Sequence, residues 1–370
     1  MYWQNTVYRG ILVAGVLLAL HTGFAQAAPI TIEEQGSFTV GGSYKQHEGT
    51  WAQENFVSEN GQRAYGDFAY VEYQKPVKAK KLPLIFQHGG AQSKRTWESG
   101  PDGREGFNTM FLRAGYSVYL VDQPRSGESN LSTEAVTPDT PWAGNPMYGD
   151  KTLYVLSRIG HYDEKGNPVP NAQFPAGEVN YQAFQQSWTI GSGPLDNDLN
   201  ADVLSKLFNQ QKDGAILVSH SMGGTIGWRT ALRTDKVKAI VAYEPGGTPF
   251  LFPETEMPKI TNARFKALSA SAMGVPMEDF LKLTKIPIIL YYGDYIKIGS
   301  ENVGEDKWGT EYAMAQQFVE AINRHGGDAT LVHLPDVGIK GNSHFLMQEK
   351  NNREIMELAL KWLHEKGLDK

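Results

Sequence analysis

The stretch Ala215-Ile216-Leu217-Val218-Ser219-His220-Ser221-Met222-Gly223-Gly224-Thr225-Ile226 decides the fold. Residues 215–218 are apolar throughout and short, which reads as a strand covered on both faces. Residues 222–234 carry a helical period, so the chain passes from strand to helix within a few residues. A turn that tight brings the residues two before and two after Ser221 together, and both must be small; here they are Ser219 and Gly223. The same turn lifts the Ser221 side chain away from the backbone. A hydroxyl, otherwise a poor nucleophile, can there be reached by a base and faced by the N–H groups of a helix start.

Outward from this stretch, apolar runs bounded by turn residues recur at 67–73, 82–86, 116–121, 237–242, 286–292 and 329–334 and predict strands. Helical period covers 104–114, 310–325 and 345–365, the last with Ile355, Leu358 and Trp362 at spacings of three and four. Strands that alternate with helices predict an α/β fold: a mostly parallel central sheet with helices on both faces. Two segments, 130–195 and 245–285, are far longer than ordinary connections and read as lid insertions. The first is rich in proline and aromatics, which suits an ordered insertion better than a flexible linker. Trp142, Tyr148, Trp188, Phe250 and Phe252 are the aromatic candidates for lining a substrate pocket, the alternative being that they form the insertions' own small cores.

Composition narrows the chemistry. The 370 residues are 41% hydrophobic, enough for a large core. The net charge is −6, with acids and bases interspersed, so there is no basic footprint for nucleic acid. Cysteine is absent, which removes disulfides, thiolate nucleophiles and cysteine-ligated zinc together. Any covalent chemistry must use oxygen or nitrogen. At the amino terminus, Arg9, the apolar run 11–20 and Ala25-Gln26-Ala27 read as a secretory signal over 1–27, cleaved after Ala27. The run is short of the roughly 20 residues that a spanning helix needs, but a longer window through Phe24 is still mostly apolar, so an uncleaved membrane anchor stays open. The expectation is an exported protein, periplasmic or secreted, whose domain is 28–370 and which is not inserted in the membrane once the signal is removed.

From about residue 67 onward the chain resembles an α/β-hydrolase, and Ser221 stands where that family carries its nucleophile elbow, with Ser219 in place of the usual first glycine. His88-Gly89-Gly90, after the strand 82–86 and before Trp97, resembles the family loop that supplies an oxyanion donor. The resemblance implies the N–H groups of Gly90 and Met222 as the two donors. The residues from Asp122 to Ser129 resemble a structural turn of the family, with Arg125 where glycine is usual. The base is expected late in the chain, between the last strand and last helix, where His344 lies.

For the acid there are two candidates. The strand 286–292 runs into Gly293-Asp294-Tyr295-Ile296, so the position the family favours holds Ile296, with Asp294 two residues early. One strand earlier, 237–242 runs into Tyr243-Glu244-Pro245. Glu244 is therefore the favoured acid and Asp294 the alternative. The order Ser221, Glu244, His344 is similar to that of the esterase-713-like bacterial serine esterases. What this implies is hydrolysis of a small carboxylic ester through an acyl-enzyme, with no metal or cofactor. Serine at the elbow argues against dehalogenase and epoxide hydrolase chemistry, which need aspartate there. Lactone or carbon–carbon bond hydrolysis on the same triad stays open, as does a non-catalytic binding protein on this scaffold. Oligomeric state is not legible.

Overall fold

Eight strands form one sheet in the computed structural model, which describes residues 28–134 and 149–370. In chain order they are β1 (Ile32–Gln46), β2 (Arg63–Pro76), β3 (Leu84–Gln87), β4 (Val118–Asp122), β5 (Ala215–His220), β6 (Val237–Tyr243), β7 (Pro287–Tyr292) and β8 (Asp328–His333). Across the sheet they lie β1-β2-β4-β3-β5-β6-β7-β8. β2 is antiparallel to both β1 and β4, and every other neighbouring pair is parallel. The chain divides into two units, 1–30 and 31–370. Of the first, only 28–30 are described, without regular structure; the expected signal over 1–27 lies outside the described residues.

Every residue of β3 and β5 is buried, as continuous apolar runs in a sheet covered on both faces require. The helices are α1 (Phe107–Arg113), α2 (Asp150–Leu156), α3 (Glu178–Gln185), α4 (Asn197–Asn209), α5 (Gly223–Arg233), α6 (Met277–Leu283), α7 (Val303–Arg324) and α8 (Asn352–Glu365). A hydrophobic core joins the apolar stripes of α4, α5, α6 and α7 to the sheet through Leu207, Trp228, Phe280 and Phe318. α1 packs with α8, and Phe107 and Phe111 join Phe86, Trp97 and Tyr243 in an aromatic cluster.

The strands follow the expected runs, and four differences have physical causes. β1 is unanticipated because it is an edge strand of alternating polar and half-buried residues, broken by Gly41 and Gly42 at φ +79° and +91°. α4 is also unanticipated; the Asp196 carboxylate opens it, accepting from the N–H groups of Asp198 and Leu199. α7 starts at Val303 rather than 310 because the Asn302 side chain caps it, and α8 starts at Asn352 because 346–348 form a separate 3₁₀ turn.

The first long segment holds α2, a small antiparallel pair (Gly160–Tyr162 with Pro168–Pro170) and α3. The second holds a parallel pair, Phe250–Pro253 with Ala272–Val275, followed by α6. Two of the pocket candidates lie in this second segment, packed as the insertion's own core. Phe250 and Phe252 are buried in the core with ring centroids 5.3 and 6.1 Å from Phe318, and Phe250 also stacks on Trp228. They hold the second insertion onto α5 and α7.

Candidate active site

β5 delivers Ser221 into a turn that the neighbouring strand closes. The Ser221 N–H donates to the Tyr243 carbonyl (3.1 Å), and the Ser221 carbonyl accepts from Gly224 N–H (2.9 Å) and Gly246 N–H (3.2 Å). Ser221 has φ +53°, a left-handed conformation that costs a non-glycine residue energy and that persists only where surrounding bonds enforce it. A Cβ on Gly223 would lie 2.6 Å from the His88 carbonyl oxygen, so only glycine fits there. Ser219 is fully buried, and its hydroxyl lacks a hydrogen-bond partner, so the extra atoms are tolerated rather than used.

The loop after β3 lies directly over this turn. A Cβ on Gly89 would meet Ser221 Cβ at 2.8 Å, and one on Gly90 would meet Met222 Sδ at 2.2 Å. Among the described residues, neither Gly90 N–H nor Met222 N–H donates a hydrogen bond within the protein. Met222 stands at the amino end of α5, where the helix dipole is positive. His88 is fully buried and holds the loop: its Nδ1–H donates to the Gly89 carbonyl (2.7 Å) and its Nε2 accepts from Gln123 N–H (3.3 Å). Burial pushes its pKa below the usual histidine value, consistent with this neutral bonding pattern. Arg125 occupies a left-handed position (φ +67°) where glycine is usual, and its fork on the Asp67 carboxylate (2.8 and 3.0 Å) explains the exception.

Glu244 follows β6 with φ +48° and no exposed surface. Its backbone N–H donates to the Tyr291 carbonyl (2.8 Å), its Oε1 accepts from Gly293 N–H, and its Oε2 lies 3.3 Å from His344 Nδ1. His344 sits in the loop between β8 and α8, pinned by its own N–H to the Ser157 carbonyl (3.0 Å). Asp294 makes no such contact. Its Oδ2 accepts from Gly341 N–H (3.1 Å) and its Oδ1 from Tyr295 N–H (2.7 Å), so it ties the loop that carries His344 to the end of β7. Of the two candidate acids, Glu244 is the one brought to the imidazole.

With the Nδ1–H donating to a carboxylate, Nε2 is left as the basic nitrogen. No hydrogen bond joins Ser221 Oγ to His344; such bonds are commonly long until substrate binds. His220, the residue before the serine, connects the two: its Nε2–H donates to the His344 carbonyl (2.9 Å), with ring centroids 4.4 Å apart. The His344 ring also stacks on Trp308 at 3.8 Å, whose indole N–H donates to the Leu156 carbonyl (2.9 Å). Burial first, and then the positive charges of Arg158 and Lys307, push the His344 pKa well below its ordinary value.

Sequence reading missed four residues around this pair. The Arg158 guanidinium, 1% exposed, bonds Glu244 Oε2 and the Asp294 carbonyl. Lys307 lies 3.7 Å over the Trp308 ring and pairs with Glu311 (3.3 Å), which also accepts from Gly247 N–H. The fourth is Glu349, fully buried, which accepts from Ser343 N–H and from the Asn342 amide, both at 2.6 Å; burial raises its pKa to about 7. None carries a motif; only Glu349, a few residues past the base, lies near one. Of the remaining pocket candidates, Trp188 packs on Phe184 and Phe345 next to His344. Trp142 and Tyr148 lie outside the described residues.

Comparison with known proteins agrees with this architecture. The model of the alpha/beta hydrolase family matches residues 84–313. A solved structure of a bacterial esterase is 30% identical, with a TM-score of 0.73, over 92% of this chain and 98% of that one. A fungal protein (strain ATCC 74256) named probable secreted lipase phiG is 28% identical over 95% of this chain and 96% of its own length. The chain belongs to the α/β-hydrolase family, as a homologue of esterases and lipases.

Proposed function

We propose that the protein is an exported serine hydrolase that cleaves carboxylic esters of small molecules through an acyl-enzyme. Ser221 Oγ attacks the acyl carbon while His344 Nε2 takes its proton, and Glu244 holds the Nδ1–H and stabilises the imidazolium that forms. The N–H groups of Met222 and Gly90 bind the oxyanion of the tetrahedral intermediate. The C–O bond to the alcohol then breaks, and His344 returns the proton to the leaving oxygen. In the second half His344 takes a proton from water, the hydroxide attacks the acyl carbon, and Ser221 regains its proton as the acid departs.

The observation that carries this reading is the Glu244–His344 contact of 3.3 Å beside a serine held at positive φ on a strand-to-helix turn. The similarity to a bacterial esterase supports ester chemistry; the amino-terminal pattern and the secreted name of the fungal relative support export. The test is mass spectrometry after exposure to a fluorophosphonate, alongside a panel of simple esters and lactones. Folded protein should carry the label on Ser221 and hydrolyse the esters, and Ser221→Ala should lower kcat by about 10⁶-fold. A folded protein with unmodified Ser221 would overturn the assignment.

A further inference from the structure

Arg158 lies just after α2, in the first insertion, at φ +56° and with its side chain enclosed. A left-handed backbone and a buried guanidinium both cost stability, so the fold must offset them through what this side chain touches. One terminal nitrogen donates to Glu244 Oε2, the same oxygen that accepts from His344 Nδ1; the other donates to the Asp294 carbonyl. Below it lies the Trp308 ring, 5.5 Å from the guanidinium carbon and stacked on His344.

We propose that Arg158 is a positioning residue for the acid–base pair: by sharing Glu244 Oε2 with His344 it fixes the carboxylate and withdraws negative charge from the imidazole, so that the neutral base persists to lower pH than an isolated histidine–carboxylate pair allows. This rests on the reading of His344 as the base. An imidazolium at His344 would face one carboxylate whose two oxygens already serve Arg158 and Gly293 N–H.

The other groups around His344 do not cancel the effect. Lys307 on α7 adds positive charge and is itself paired with Glu311. His220 at the end of β5 is held well below the ordinary histidine value by burial. Glu349 is spent on Ser343 N–H and Asn342, and Asp294 on Gly341 and Tyr295.

The test titrates the His344 ring by NMR in the full chain labelled at histidine, with the signal assigned by its loss in His344→Asn. In parallel, kcat/KM for phenyl acetate is followed against pH. In the wild type both should report a midpoint below the ordinary value of about 6.5. Arg158→Met should move the midpoint up by about 1 to 3 pH units, the effect of a full charge at contact distance, while Arg158→Lys should stay near the wild type. A wild-type His344 titrating at 6.5 or above overturns the proposal, and so does an unshifted midpoint in folded Arg158→Met. Should that variant not fold, Arg158→Gln is titrated in its place, and an unshifted midpoint there overturns the proposal equally. Absence of phenyl acetate turnover with the expected NMR midpoints would strike the ester reading and leave Arg158's role standing.

Discussion

Glu244 stands at a left-handed backbone position with its carboxylate wholly enclosed, and the groups on its two oxygens account for that placement: Gly293 N–H on one, His344 and Arg158 on the other. Asp294 spends its oxygens on the backbone of the neighbouring loop. Glu244→Gln should therefore lower kcat on an activated ester by about 10³- to 10⁴-fold, because the amide no longer orients the imidazole or balances its charge. Asp294→Asn should cost far less. Steady-state kinetics on both variants checks the ranking, and the reverse order would move the acid to Asp294. At this scale the sequence is informative wherever turn chemistry leaves a mark: an apolar strand running into small residues points to Ser221 as the candidate nucleophile, and the place between last strand and last helix makes His344 the candidate base. Arg158 was illegible because nothing in its local sequence distinguishes a buried, bonded guanidinium from a solvated one.

Among the elements, the loop from β8 to α8 sets burial against charge at Glu349. Glu349 accepts two short hydrogen bonds from the residues before His344, yet burial lifts its pKa from 4.5 to about 7. Between those values the folded state holds a proton that the unfolded chain has released, so this group's contribution to stability falls as pH rises through that window and levels off above it. Unfolding temperatures of wild type and Glu349→Gln at about pH 5 and about pH 8 should show a smaller fall with pH in the variant. Equal falls would mean that Glu349 stays ionised across the window. The elements themselves were readable where hydrophobic period was strong. β1 was not, because an edge strand needs only one buried face and keeps its polar residues, which leaves no continuous apolar run to detect.

At the scale of the molecule, the second insertion is anchored by aromatic residues that local sequence could not assign to core or pocket. Phe252 lies against Phe318 and has almost no exposed surface. Phe252→Ala should lower unfolding free energy by about 3–5 kcal/mol, measured by denaturant titration, and leave acyl-chain preference unchanged, since it vacates core and not pocket. A changed preference with intact stability would return Phe252 to the pocket. Arg158 has the opposite standing: it reaches the proposed acid–base pair from a segment that interrupts the regular αβ rhythm. Grafting a relative's cap onto this scaffold to alter substrate choice would then exchange the acid tolerance of the chemistry along with it, unless an equivalent cation travelled in the graft.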